Sequence, residues 1–575
     1  MRSGASASIC VGLVLAHAAL LGWSAVGNSV TFDEYAHLPA GVAYWRYGEF
    51  SIYNLSPPLL RLWGAAPVML SGPEIPPINS FLKQDAKDRH WNYAQAFERA
   101  NRTQYQRLFV TARLAMIPIS CVGVWIVWRW ARELYGDRAG VAGAILYAFN
   151  PDLLAHGSLV GTDSGTAVAI LAALYAWWRF CQQPTVGRAV LAAVLVALAH
   201  LCKFSALLLW PMMLAVWGCF LIADRTLTPA LSEPAVKRRT LAALLICLVA
   251  TSLGINLMYG YRGSFTPINS YSFRSKTLSA VKQHLPGWFA VPFPRDFVEG
   301  FDVQKHEGEG LYPAYILGQS WRGARWWFYP VALACKLPLG ATALIALCFG
   351  SFFVRSGAWP PRRIGEAPLI AALVVFALGI LLLADINIGV RYVLPAYPLA
   401  CVLVSRLWGG AATAWLSAAR SGLLVIAVVE SLRVAPRFLT FVNHAASARM
   451  AAWHVVTDSN YDWGQGLLLL KQWMDGHGQR SIVLAYFGRV EPSVYGIEYT
   501  TITRPGDEPY VAISSYFLNG LEHRLATRDG STGWVSLPYA RALRDRRPVA
   551  TVGNTILIFS REDVADAARA AGHAN

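Results

Sequence analysis

Apolar runs of membrane length recur along this chain, and no other property limits its fold so strongly. A helix that crosses lipid needs roughly 20 apolar residues, because its backbone polar groups must all be satisfied within the segment. By that measure the 575-residue sequence carries about eleven spans. They fall near 8–27, 109–130, 140–157, 164–180, 188–202, 204–223, 241–260, 327–353, 368–385, 391–407 and 418–433. The two that flank Lys203 are short and close together, and the last carries Glu430 and Arg433 near its end. Composition agrees, with 55% hydrophobic and 15% charged residues and a mean hydropathy of +0.37. Such a chain is a polytopic membrane protein rather than a soluble one.

The net charge of +16 does not mark a nucleic-acid partner, because the basic residues are scattered among short loops instead of pooled in one patch. Loops with Arg129, Arg132 and Arg138; with Arg179 and Arg188; with Arg225 and Lys237 to Arg239; and with Arg355, Arg362 and Arg363 alternate with loops poorer in charge. Positive charge of this kind sets membrane orientation. With those loops inside, the N-terminus is inside, and an odd number of spans puts the C-terminus outside. The hydrophilic regions 28–108, 261–326 and 434–575 then share the outer face. The first run, Ile9 to Trp23, has Arg2 ahead and small residues behind, as a signal peptide does. The acids that follow so closely at Asp33 and Glu34 read instead as the mouth of a retained helix. None of the nine cysteines falls in the three hydrophilic regions, so those carry no disulfide, and there is no CxxC or zinc-finger spacing.

The division expected is a membrane part over 1–433 and a compact outer α/β domain over 434–575. In the latter, SIVLAYFG, PYVAISSYF and TILIFS alternate like strands, and DWGQGLLLLKQWMDGHG reads as a helix packed through Leu467, Leu468, Leu470 and Trp473. The first outer loop mixes Trp45, Tyr47, Tyr53, Leu59, Leu60, Leu62 and Trp63 with Arg46 and Arg61, a composition suited to short amphipathic helices at the headgroup layer. Lys83 to Arg107 is charged enough to sit in water.

Ionisable residues inside apolar runs are expensive unless they have partners, and so they mark candidate sites. The stretch TFDEYAHLPAGVAYWRYGEFSIYNLSPP (31–58) supplies Asp33, Glu34 and His37. Arg113, Asp163, Lys203, Lys336, Asp385 and Arg391 lie within or at the ends of spans. Each also has a plain structural use. Thr31, Asp33 or Asp163 suits a helix N-cap, Asp385 and Arg391 suit each other, and Lys203 suits snorkelling. On the topology above, however, Asp33, Glu34, Arg113, Asp163, Lys203 and Arg391 all fall toward the outer leaflet, with Lys336 slightly deeper. Acids and fixed cations gathered at one membrane face suit a phosphate-bearing lipid, with Arg and Lys on the phosphate and a carboxylate as general base. A transporter using the same acids as relays is the other reading. The chain lacks the paired repeat with broken helices that would favour it.

These residues carry a resemblance. FDEYAH with SPPL downstream (32–59), Arg113, NPDLLAHGSLVGTD (150–163), CKFSALLLWP (202–211), the YILGQSW to CKLPL segment (315–339) and IGVRYVLPAYP (388–398) are similar, in order, to membrane glycosyltransferases of the GT-C fold. That superfamily includes the protein O-mannosyltransferases and the bacterial aminoarabinose transferase. SNYDWGQGLLLLKQWM and YFGRVEPSVYGI resemble bacterial phospholipid-carrier-dependent members.

The resemblance implies a mainly α, polytopic GT-C enzyme of the bacterial inner membrane with a periplasmic C-terminal domain. Its activity would be transfer of a hexose or pentose from a polyprenyl-phosphate carrier to a lipid, glycan or protein acceptor, inverting the anomeric centre. Asp33 maps to the base, with Glu34 beside it and Asp163 assisting. Arg113, Lys203, Lys336 and Arg391 map to the carrier phosphate, with Tyr392 and His37 lining the site. There is no MIR-like module, and the DE pair is not a DxD. A divalent metal ion held through Asp33, Glu34 or His37 therefore stays open, and no other cofactor is implied.

Overall fold

A computed structural model describes residues 3–227, 234–310, 312–353, 365–383, 386–503, 507–527 and 530–572. The chain is mainly helical. Among the described residues five helices are long and apolar enough to cross a membrane: Gly4–Gly27, Tyr105–Tyr135, Phe204–Ile222, Lys237–Met258 and Ala414–Leu432. The pair Phe328–Lys336 and Leu339–Gly350 adds a sixth if taken as one span, bent by 119° at its break. Eleven were expected. The others are present as shorter or less apolar helices. Region 140–157 is broken at Asn150, which caps Pro151–Gly157 through the amides of Asp152 and Leu153. Region 188–202 yields only Val186–His200 before the chain extends at Lys203. Region 391–407 is a 3₁₀ turn, Val390–Val393, followed by Ala396–Val404. The latter two breaks fall at Lys203 and Arg391, where the backbone gives up helix to turn a side chain toward a partner. Asp385 lies outside the described residues. All nine cysteines are free thiols.

The first of the regions expected to lie outside, 28–108, forms helices Glu34–Tyr47, Leu59–Met69 and Arg89–Ala100. Trp45 and Trp63 are exposed while Leu60 and Arg61 are buried, so these helices are amphipathic as expected. Tyr93 and Phe97 are buried as well, which brings part of the Lys83–Arg107 stretch into the body instead of leaving it in water. In the second outer region, helix Arg295–Gly308 packs over the break at Lys203. Phe297 and Phe301 meet the Phe204 ring at 5.1 and 5.3 Å, and Gly300 approaches Asn54 so closely that a Cβ would lie 2.0 Å from its carbonyl oxygen.

The C-terminal region contains a five-stranded mixed sheet. Its order is Ala550–Val552, Ile556–Ser560, Tyr510–Ser514, Ser481–Ala485 and Glu498–Thr501. The strand Ser481–Ala485 runs parallel to both its neighbours, and its residues from Ile482 on are buried, as a strand covered on both faces must be. One face packs on helix Leu467–Gly476 through Leu467, Leu470 and Met474, in one cluster with Leu38, Val68 and Phe109. The other face shares a cluster with Leu21, Ile117 and Leu154. The sheet is thus packed onto the first outer helices and the membrane helices through two apolar cores.

Candidate active site

The adjacent acids of the first outer region point to different partners. Asp33 occupies the N-cap position of helix Glu34–Tyr47 yet makes no capping bond. Its carboxylate reaches Arg391 at 2.5 Å. Glu34, one residue on, turns inward to Arg113 in a two-pronged ion pair of 2.8 and 2.6 Å. Both side chains are sealed, at 1% and 0% exposure. Arg113 also donates to the carbonyls of Ala25, Asn28 and Ser29, so all five of its N–H groups are used. Glu34 accepts further from the Val160 amide and from the Thr31 amide and hydroxyl. Burial alone would raise the Glu34 pKa, but Arg113 and these donors outweigh it and hold the carboxyl below its ordinary value. The pair fastens the start of the outer region to the Arg113 helix.

Asp33 heads a row of alternating charges. Arg391 Nη1 lies 2.5 Å from Asp33 and 3.5 Å from Asp163 Oδ2. Asp163 Oδ1 lies 2.5 Å from Lys203 Nζ. Tyr392 lies beneath both cations, with Lys203 Nζ 4.9 Å and the Arg391 guanidinium carbon 5.3 Å from its ring. Trp463 of the outer sheet region backs the same guanidinium at 4.7 Å. Asp163 opens helix Asp163–Gln182 without capping it. Lys203 sits in the extended residue between two helices. Arg391 follows Gly389, where a Cβ would fall 2.3 Å from Ser459 Oγ. Exposure falls from 24% for the Asp33 side chain to 11% for Arg391 and 6% for Asp163, and returns to 11% at Lys203. The Arg391 Nε is buried with no hydrogen-bond partner.

Of the residues singled out from sequence, the structure thus brings Asp33, Asp163, Lys203, Arg391 and Tyr392 together. Lys336 lies apart from the row. It is fully buried and donates to the carbonyls of Leu439 and Asn460 at 3.0 and 2.8 Å, with Asp152 at 3.2 Å. His37 stands behind the site. Its Nδ1 pairs with the Val160 carbonyl and its Nε2 with the Tyr53 hydroxyl. Burial, with Arg61 nearby, pushes its pKa down to about 4, which leaves the ring neutral at pH 7. Among the described residues no three His, Cys, Asp or Glu side chains gather in a group fit to hold a metal ion. Glu34 is locked to Arg113 and both His37 nitrogens are engaged, so neither is free to join Asp33 as a ligand.

Two further carboxylates belong to this cluster and escaped the sequence reading. Asp458, with φ +55, is held in a left-handed conformation unusual for a residue with a side chain. Burial pushes its pKa up to about 6, Arg391 opposing and Asp33 adding to the rise. Glu307 comes from helix Arg295–Gly308, seven residues after Gly300 and so on the same face. Burial first, and Asp33 second, push it up to about 7. The signal for Asp458 lay in its place just before SNYDWGQG, and for Glu307 in the Gly300 spacing. Beyond Arg391 the chain lines an apolar cleft through Val393, Ala396 and Cys401, closed opposite by Leu146, Leu333 and Ile345.

Residues 106–254 match the family described as dolichyl-phosphate-mannose-protein mannosyltransferase. The matched stretch holds Arg113, Asp163 and Lys203, and it agrees with the resemblance drawn from the motifs. No curated protein matches the chain. Among solved structures, similarity is found to ArnT from Cupriavidus metallidurans bound to undecaprenyl phosphate, at 12% identity and TM-score 0.44, covering 97% of this chain and 98% of that one. The apo form of the same protein gives 12% identity and TM-score 0.48 over the same shares. The oligosaccharyltransferase of Archaeoglobus fulgidus, in complex with Zn and sulfate, gives 12% identity and TM-score 0.43, covering 97% of this chain and 75% of that one.

Proposed function

We propose that this chain is a membrane glycosyltransferase that moves a sugar from a polyprenyl-phosphate carrier to an acceptor hydroxyl at the outer face of the inner membrane. The observation that carries this reading is the Arg391 guanidinium. It is backed by two aromatic rings and has a buried Nε without a partner, while Lys203 stands across Asp163 from it. Two cations with donors in reserve, one of them on a chain segment that runs on into the lining of an apolar cleft, suit a phosphate on an apolar tail. The family match over residues 106–254 supports the same class of reaction.

The chemistry follows from the row of charges. A donor phosphate arriving at Arg391 competes with Asp33 for the guanidinium and frees that carboxylate beside the sugar. Asp33 takes the proton of the acceptor hydroxyl. The acceptor oxygen bonds to the anomeric carbon from the face opposite the phosphate, and the bond from that carbon to the phosphate oxygen breaks. The electron pair leaves with the carrier phosphate, whose charge Arg391 and Lys203 neutralise in a partly dehydrated site. One displacement with one base inverts the anomeric centre. In this scheme Asp163 positions the two cations. Arg113 and Lys336, whose donors are already taken, hold the framework instead of the carrier. The outer placement, with 434–575 as a periplasmic domain, rests on the charge pattern of the loops.

The test is sugar release from radiolabelled polyprenyl-phosphate sugars by the purified full chain, comparing wild type with Asp33→Asn and Arg391→Gln. Wild-type turnover that disappears in both variants, with carrier binding weakened in Arg391→Gln alone, is the expected result. Full activity in Asp33→Asn would remove Asp33 from the chemistry.

A further inference from the structure

A further cation, Arg489, lies next to this site. Arg489 follows strand Ser481–Ala485 and reaches between the first outer helices and the sheet. Its guanidinium carbon lies 4.3 Å from the Trp91 ring and 5.2 Å from the Phe32 ring, and Phe32 directly precedes Asp33. Phe32 in turn stacks on Phe487 at 5.5 Å, and Phe487 on Tyr516 at 3.9 Å. Arg489, Trp91, Phe32 and Asp33 are all partly exposed, and the buried rings of Phe487 and Tyr516 lie behind Phe32. Arg489 Nε is buried with no hydrogen-bond partner. Among the described residues no carboxylate lies within ion-pair distance of it. Glu98 and Glu491 line a small cavity with it but are bonded to Tyr35 and Arg102. Burial pushes the guanidinium pKa down to about 10, with Tyr35 and Asp88 opposing and Arg524 adding to the fall. A desolvated guanidinium without a counter-ion is costly to keep. Rings against its faces leave its edge free, and that edge fits the two oxygens of a carboxylate or phosphate.

We infer that Arg489, between Trp91 and Phe32, is an acceptor subsite that binds an oxyanion carried by the acceptor and so brings a neighbouring hydroxyl to Asp33. This rests on the glycosyltransferase reading above, and it specifies the acceptor as a hydroxyl compound bearing a phosphate or carboxylate. The subsite is separate from the Arg391 and Lys203 pair on the donor side.

The test uses the full chain in phosphatidylcholine nanodiscs, with the donor site filled by polyprenyl phosphate, titrated calorimetrically with glucose 6-phosphate, glucuronate, glucose and inorganic phosphate. Both anionic sugars should bind about tenfold or more tighter than glucose, the scale of a charge-assisted hydrogen bond. Arg489→Gln should remove that advantage, and Arg489→Lys should keep part of it and serve as the folding control. Inorganic phosphate should compete for the subsite. Replacing part of the phosphatidylcholine by phosphatidylglycerol should compete as well if a lipid headgroup is the natural source, and leave binding unchanged if the source is a soluble one. Equal binding of glucose and glucose 6-phosphate, or an undiminished advantage in Arg489→Gln, overturns the inference. Hydrolysis of the donor by water does not involve this subsite. Its persistence in Arg489→Gln is expected, whereas its absence from wild type would sink the glycosyltransferase reading and leave anion binding at Arg489 standing.

Discussion

Asp163 stands between two cations, with one carboxylate oxygen 2.5 Å from Lys203 Nζ and the other 3.5 Å from Arg391 Nη1. It is the least exposed member of the row and makes no helix-capping bond, so its role is to set the spacing of the two charges. Asp163→Asn removes one negative charge without changing size. Carrier-phosphate binding should persist, since the cations lose a competitor. Turnover should fall about 100-fold, because the leaving group is no longer met in the right geometry. Equilibrium binding of polyprenyl phosphate measured beside sugar release checks this. Loss of binding without a separate loss of turnover would mean that Asp163 only shapes the pocket.

Glu34 and Arg113 form a pair with no free donor and almost no exposure. Breaking a buried pair from one side leaves the other charge stranded, so Glu34→Gln should destabilise the fold by about 3–5 kcal/mol. The sign with pH follows from the lowered Glu34 pKa. A carboxyl held below its unfolded value stabilises the fold at higher pH, and that contribution is lost as pH falls through the folded value. Wild type should therefore lose thermal stability in acid, and Glu34→Gln should show a flatter profile. Unfolding temperatures of the two proteins in detergent between pH 3 and pH 7 are the check.

Much of this was legible in the sequence because membranes make polar residues conspicuous. Asp33, Asp163, Lys203 and Arg391 stand out against apolar runs, and the structure assembles all four. Arg113 and Lys336 stand out equally, yet their partners are backbone carbonyls and buried acids that only the fold brings near. Fewer than eleven of the described helices reach membrane length by themselves, because an apolar run such as 188–202 or 391–407 gives no warning that it will break into short helices around a charged turn. Asp458 and Glu307 stayed hidden in hydrophilic segments, where one acid looks like any other until a fold buries it.

Glu307 and Asp33 oppose each other, and their repulsion has a pH signature. Burial, with Asp33 adding to it, pushes Glu307 up to about 7 from an ordinary value of 4.5. Between those values the native state holds a proton that the unfolded chain gives up, so stability declines as pH rises from 4.5 to 7. Glu307→Gln should be more thermostable than wild type above pH 7 and indistinguishable from it near pH 4. Melting curves at pH 4, 6 and 8 test this, and identical profiles would show that Glu307 is hydrated rather than pressed against Asp33.

Asn460 ties the outer sheet region to the Arg391 turn. Its side chain accepts from the Val390 amide at 2.8 Å and donates to the Ile388 carbonyl at 3.0 Å. Its own carbonyl accepts from Lys336 at 2.8 Å. Gly389 and Ser459 touch so closely that the two segments interlock. In Asn460→Ala the Val390 amide and the Ile388 carbonyl lose their side-chain partners, a loss of about 1–3 kcal/mol for each buried group. Large apolar cores hold the body of the protein, which should stay folded. Arg391 would be free to shift, and a misplacement of about 1 Å is enough to slow chemistry roughly 100-fold. Transfer to acceptor and hydrolysis by water should therefore fall together in Asn460→Ala, because both need the donor phosphate held. That pattern differs from Arg489→Gln, where hydrolysis should survive and acceptor binding fail. An Asn460→Ala protein with normal hydrolysis would mean that the Arg391 turn keeps its shape without the outer region.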